Sequence, residues 1–247
     1  MSEWLPLTAL GLAVFLGTAT QRISGMGFAL VASPFLVVLL GPFEGVLVVN
    51  VFGALTALVV LVSVWRRVEG RRALLLLVPA VIATVPGAIV ASLVPAGLLT
   101  LIIGVLTVVA LCASLFARGS VRMMGRGGAI AAGAASGFMN VTAGVGGPAI
   151  SAYAIATRWP QPAFAATVQL YFFVLGAASL AAKWALPSLS WQQWVVCGGA
   201  VGLGVAAGTL LAKVVGPKAA RIMVIVLAFA GAIAVIAQGV ARVLAVN

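Results

Sequence analysis

The sequence predicts an all-α polytopic membrane protein built from two inverted repeats of about five helical elements each. Three observations predict it. Hydrophobic residues make up 64% of the chain and charged residues 7%, against roughly 25% charged in soluble domains, so water is not the main solvent. The chain also repeats itself at an offset of 119 positions: Gly25-Met26-Gly27 recurs as Gly144-Val145-Gly146, Asn50-Val51-Phe52 as Gln169-Leu170-Tyr171, and Trp65 as Trp184. Finally, loop charge swaps between the halves. Arg66, Arg67, Arg71 and Arg72 follow Trp65, whereas Ala185-Leu186-Pro187-Ser188 follows Trp184 with no charge beyond the adjacent Lys183. The next loop reverses this, since Val94-Pro95-Ala96 is uncharged and its counterpart carries Lys213, Lys218 and Arg221. Lys and Arg mark cytoplasmic loops, so equivalent loops are expected on opposite sides. Inverted repeats of this kind hold substrates near the bilayer midplane.

Taken in order, apolar stretches fall at 5–20, 27–41, 43–64, 73–93 and 97–117, then at 128–139, 145–158, 162–184, 190–212 and 219–244. The chain therefore reads as one transmembrane domain, 1–247, with repeat 1 at 1–117, a connecting cytoplasmic loop at 118–127 and repeat 2 at 128–247. Each half opens with two short pieces and continues with three long ones. About twenty residues cross a hydrocarbon core, and 128–139 and 145–158 fall short of that. The short pieces read as half-helices, a re-entrant hairpin or short tilted spans, and the break between them must face protein or a water-filled cavity. Charge places 65–72, 118–126, Arg158 and 213–221 inside, and Glu44, Pro95, Ser188 and both termini outside. A rival count treats each short pair as one broken span, giving eight crossings and parallel halves. It moves Lys213, Lys218 and Arg221 outside, against the positive-inside rule. The N-terminal Met1-Ser2-Glu3-Trp4 lacks the basic region of a cleaved signal peptide and is expected to be retained, with the protein in the cell (inner) membrane.

The net charge of +11 is explained by cytoplasmic loops and anionic lipid rather than by nucleic acid. There is no histidine, and Cys112 and Cys197 sit in separate apolar spans without C-x-x-C spacing, so no disulfide, metal site or cofactor is expected. An intramembrane enzyme would need paired cysteines or an ionisable catalytic group at depth, and neither is visible. The carboxylates are Glu3, Glu44 and Glu69, at a terminus or in loops. Proton relays and cation sites in membranes are usually carboxylates or histidines, which points away from a cationic substrate and towards a small anion. Export of an anion from a cell that is negative inside gains about 2.3 kcal/mol per charge per 100 mV.

The first break spans Gly17 to Phe28 and holds Gln21, Arg22, Ser24, Gly25, Met26 and Gly27; the second spans Ser136 to Pro148 and holds Asn140, Thr142, Gly144, Gly146 and Gly147. Glycine lets backbone turn and approach a ligand closely, and Pro148 suits the first turn of a following helix. A helix starting after each glycine run aims unpaired N–H groups at the break, and two such ends make an anion site. The alternative is that the glycines only permit close helix packing. Arg22, at depth, either neutralises a bound anion or snorkels and pairs with carbonyls. Asn50 and Gln169 are repeat-equivalent amides in long apolar spans and either bind substrate oxygens or bridge helices. Tyr171, Ser33, Ser151 and Tyr153 are weaker candidates for the cavity lining, and Trp65 and Trp184 read as interface anchors. Gly198-Gly199 and Gly202 with Gly204 suit helix packing, within one chain or in a homodimer.

At Gly25-Met26-Gly27-Phe28 with Pro34, and at Gly144-Val145-Gly146-Gly147-Pro148, the chain resembles the sulfite exporter TauE/SafE family of membrane permeases. The resemblance covers nearly the whole length in repeat layout and break position. It implies transport of sulfur-containing anions such as sulfite, sulfoacetate and other sulfonates. Combined with the residues, it gives the expectation of an exporter that works by alternating access. The competing expectations are an uptake permease or channel for the same substrates, and a membrane scaffold that transports nothing.

Overall fold

The computed structural model describes residues 4–116, 125–214 and 217–245, and among these every regular element is helical. The first half contains α1 (Trp4–Ser24), α2 (Phe28–Leu40), α3 (Pro42–Val64), α4 (Gly70–Leu93) and α5 (Ala96–Phe116), with a 3-10 turn at Trp65–Arg67. The second contains α6 (Gly125–Ala143), α7 (Gly147–Ala156), α8 (Gln161–Lys183), α9 (Trp191–Val214) and α10 (Pro217–Leu244). Five segments, Pro42–Arg67, Gly70–Leu93, Gln161–Lys183, Trp191–Val214 and Ile222–Leu244, are long and apolar enough to cross a membrane. These observations establish the all-α polytopic class. The expected 118–127 loop lies partly outside the described residues, at 118–124, and residues 125–127 belong to α6. Met1 to Glu3 and the side chains of Lys218 and Arg221 also lie outside them.

The opening helices are longer than the apolar stretches suggest. α1 runs on to Ser24 and α6 to Ala143, so each break narrows to three residues, Gly25-Met26-Gly27 and Gly144-Val145-Gly146. Hydroxyls explain the extension. Thr20 donates to Leu16 O at 2.8 Å, Ser24 to Thr20 O at 2.7 Å and Thr142 to Phe138 O at 2.7 Å, so polar side chains bond back to their own helix and remain compatible with it. Both helices then end on a left-handed glycine at the same repeat position, Gly25 at φ 90° and Gly144 at φ 76°. Their N–H groups close the last turns onto Gln21 O and Asn140 O, at 2.7 and 2.8 Å. α2 and α7 span only about 20 and 15 Å at 1.5 Å per residue, well short of a bilayer core of about 30 Å.

The halves interlock. α1 packs on α9 and α6 on α4, each pair joining the first helix of one half to the fourth of the other, while α3 packs on α8 and α5 on α10. Close approach needs small residues. At α1–α9, a Cβ added to Gly208 would sit 2.8 Å from both Ala19 O and Arg22 Cβ, and one on Gly204 would sit 2.7 Å from Thr18 Cβ. Gly204 thus packs within the chain, whereas Gly198, Gly199 and Gly202 have no neighbour within 4 Å of an added Cβ. Two apolar clusters occupy matching places. Leu10, Ala13, Val49 and Phe52 belong to one, and the residues 119 positions later, Ala129, Ala132, Val168 and Tyr171, belong to the other.

Candidate functional site

Between the two breaks, four buried amides form two hydrogen-bonded pairs that join the halves. Gln21 on α1 donates from Nε2 to Gln169 Oε1 on α8 at 3.0 Å. Asn140 on α6 donates from Nδ2 to Asn50 Oδ1 on α3 at 2.6 Å. Asn140 stands 119 positions after Gln21 and Gln169 stands 119 after Asn50, so the second pair repeats the first with the halves exchanged. The likeness extends to the backbone. Asn50 Nδ2 donates to Val46 O at 2.9 Å and Gln169 Nε2 to Ala165 O at 3.1 Å, each to the carbonyl four residues back. Gln169 also donates to Gly25 O at 2.8 Å, tying α8 to the first break, and Asn140 contacts Ser179 Oγ at 3.0 Å. An unpaired buried amide would cost about 1–3 kcal/mol, so this partnering makes four polar side chains tolerable at depth.

A cavity of about 30 Å³ lies at the centre, lined by Gln21, Asn50 and Asn140 together with Met26, Gly144, Gly147, Phe172 and Gly176. That is room for roughly two waters. α2 and α7 begin beside it on Gly27 and Gly146, and neither N-cap has a side-chain hydrogen bond. Pro148 lies in the first turn of α7, as its sequence position predicts. The arrangement presents amide groups and two helix N-termini to a small space without any carboxylate in the lining.

A second cavity, of about 460 Å³, adjoins the first. Met26 and Leu30 line both, and Ser24, Gly27, Ser151, Arg158, Trp159, Gln161 and Phe164 contribute to the larger one. Arg158 is exposed in the α7–α8 turn with φ 49°. Arg72 lies over the Trp159 ring at 4.9 Å from its centroid, and Glu69 N–H donates to Thr167 Oγ1 at 3.0 Å, so the arginine-rich α3–α4 loop and the α7–α8 turn share one end of the molecule. Lys183, over the Phe43 ring at 4.7 Å, and Glu44, which accepts from Ser188 N–H, gather elsewhere.

The structure thus brings Gln21, Met26, Asn50, Asn140, Gly144 and Gly147 to the central cavity, with Gln169 bonded directly behind Gln21. Gly25 supplies the turn and the carbonyl held by Gln169; Gly146 is the N-cap of α7. Ser24 and Gly27 belong to the larger cavity. Thr142 bonds back into α6, and Tyr171 is 1% exposed, packed edge-on to Phe172. Arg22 is elsewhere: in the last turn of α1 its Nε donates to Thr209 Oγ1 on α9 at 3.0 Å, and it lines neither cavity. Ser179 was not singled out from the sequence because a lone serine in an apolar helix carries no signal. The pairing of Gln21 with Gln169 is found only in the structure, since the repeat offset relates Asn50 to Gln169 without showing what either one touches.

Helices long enough to span a bilayer, two broken pairs and a cavity that buried amides line define a multi-pass membrane protein. Residues 10–235 match the sequence pattern of the family described as sulfite exporter TauE/SafE, and the chain belongs to that family of sulfur-anion transporters. No curated protein and no solved structure matches it.

Proposed function

We propose that the protein exports a small sulfur-containing anion, an organosulfonate such as sulfoacetate or sulfite itself, by alternating access between two inverted repeats. One observation carries the reading: the repeat-related amide pairs Gln21–Gln169 and Asn140–Asn50 meet at a cavity flanked by the uncapped starts of α2 and α7. Oxygens around one sulfur accept hydrogen bonds, and amide N–H₂ groups and helix N-termini donate them. At about 30 Å³ the cavity is too small for such an anion, so loading requires the halves to separate and the amide pairs to exchange partners with the substrate. Alternating access supplies that separation, and breaking repeat-equivalent bonds on either side would let the two states mirror each other. Loading through the larger cavity, on the end that bears the arginine-rich loop, supports export, because that end is the cytoplasmic one by the positive-inside rule.

The test is ligand-dependent thermal stability and flux in proteoliposomes with sulfite, sulfoacetate, sulfate and acetate. A ligand at one hundred times its Kd stabilises the native state by about 2.7 kcal/mol. Asn140→Asp puts a carboxylate in the cavity and should abolish both stabilisation and flux, whereas Asn140→Gln should retain part of each. Equal behaviour of the two variants with every anion would remove the amides from the site.

A further inference from the structure

We propose that Met26 is the gate between the larger cavity and the amide site, and that the Ser151 hydroxyl holds it in place. The inference rests on the transport reading above and adds a residue that controls access. Met26 occupies the tip of the first break, between Gly25 at φ 90° and Gly27, and it is half-buried. It borders both cavities, about 30 Å³ on one side and about 460 Å³ on the other, so its side chain stands where they meet. Ser151 Oγ lies 3.2 Å from Met26 Sδ and 3.0 Å from Gly147 O, so its single proton is shared between a weak thioether acceptor and a carbonyl of its own helix. Gly147 in turn lines the amide cavity, and a Cβ added to it would sit 3.7 Å from Met26 O. The gate of one half therefore rests on the first turns of the short helix of the other.

The side chain suits this task. Methionine is unbranched, with three rotatable bonds, so it can swing aside at little cost. Flanking glycines give the backbone the same freedom. Leu30, the other residue shared by both cavities, is fixed within α2 and forms the wall against which Met26 moves.

The experiment uses the full chain with Cys112 and Cys197 replaced by alanine and a single reporter cysteine at Ala54, which lines the amide cavity. A parallel series places the reporter at Ala29, also on that lining, in case Ala54→Cys does not fold. The probe is the sulfonatoethyl methanethiosulfonate reagent, applied to either face of oriented membrane vesicles; it enters the amide cavity only in the minor state in which the halves have separated, so its rate reads how readily residue 26 lets that state be reached. Met26→Ala should raise the labelling rate from the Arg158 face about tenfold or more, as expected when a gate open in a minor state loses its barrier. Met26→Leu should keep labelling slow, and Ser151→Ala should raise it about threefold, on the scale of one lost hydrogen bond. A reporter at Ser24, already in the larger cavity, should label at one rate in all of them. Labelling of Ala54→Cys that is independent of residue 26, or that is accelerated from the opposite face alone, would overturn the gate. Protection of the same cysteine by sulfite or sulfoacetate reports on the amide site separately, so a failed gate and a failed site give different results.

Discussion

The two hairpin tips of this molecule have the same backbone and opposite surroundings. Met26, at the first tip, has open space on both sides, whereas Val145, 119 positions later at the second, is 0% exposed within a cluster formed by Val37, Val46, Leu99, Ile103, Ala143 and Val235. Other members correspond too. Ser24 in the larger cavity matches Ala143 in the plug, and Ile225 matches Leu106, which packs against it. The first tip thus borders a vestibule, and the second is packed in an apolar plug. Repeats that were identical in conformation would give two vestibules or two plugs. The difference teaches that this chain sets one backbone motif in two different surroundings, the asymmetry that the proposed alternating access requires.

The largest expected effect comes from forcing the plug apart. A Cβ on Gly45 would sit 2.7 Å from Leu36 O, Val37 N and Val37 Cα, all backbone atoms that cannot step aside. Gly45→Val should therefore cost about 3 kcal/mol and lower the midpoint of thermal unfolding in detergent by roughly 6–12 °C. The residue in the corresponding place on the vestibule side is Phe164, which lines that cavity and packs on Trp159 at 5.4 Å between ring centroids. Phe164→Leu should cost about 1 kcal/mol, because open space lets neighbours adjust. If Gly45→Val were as mild as Phe164→Leu, the plug would not be tightly packed.

The tips themselves sharpen the comparison. Val145→Ala leaves a void in fully buried packing and should cost about 2 kcal/mol, whereas Met26→Ala, at a half-buried position beside two cavities, should cost under about 1 kcal/mol. Unfolding of both variants in the same detergent checks this. Equal losses would mean that the asymmetry of exposure has no energetic counterpart.

How much of this was legible follows from the kind of signal each feature leaves. The ten helices of the described residues were visible because apolar runs and loop charges are local. The break positions were visible because glycine tolerates the left-handed backbone found at Gly25 and Gly144. The ends of α1 and α6 were not, since Thr20, Ser24 and Thr142 read as loop residues until their bonds to carbonyls within their own helices are seen. Asn50 and Gln169 were found as polar residues in apolar helices, and the structure adds the partners that give them a shared cavity. Arg22 was expected at the break because charge at depth is rare, yet a hydroxyl on α9, at Thr209, holds it outside the cavity. Of the vestibule, only Ser24, Met26, Gly27 and Ser151 were among the candidates, and its apolar lining left no trace. Ile23, Leu30, Leu111, Ile155 and Val224 would read the same if they faced lipid or the core.

The smallest expected effect concerns the vestibule mouth, where stability and loading should move in opposite directions. Arg158 is exposed and left-handed at φ 49°, with its N–H donating to Ile155 O at 3.2 Å and Trp159 N–H donating to Ala154 O at 2.9 Å. This is the position after a helix end where glycine is the usual residue. Arg158→Gly should relieve backbone strain and stabilise the protein by about 1 kcal/mol, raising the unfolding midpoint by roughly 2–4 °C. It also removes a positive charge from the wall of the vestibule. An exposed charge steers a small anion through a field that salt screens over about 10 Å at 0.1 M. Flux should consequently fall about two- to threefold at low ionic strength and approach the parent value as salt is added. Arg158→Lys keeps the charge and the strain, so its flux should stay near the parent value with no gain in stability. A loss of flux in Arg158→Gly that salt does not lessen would instead place the guanidinium in direct contact with the substrate.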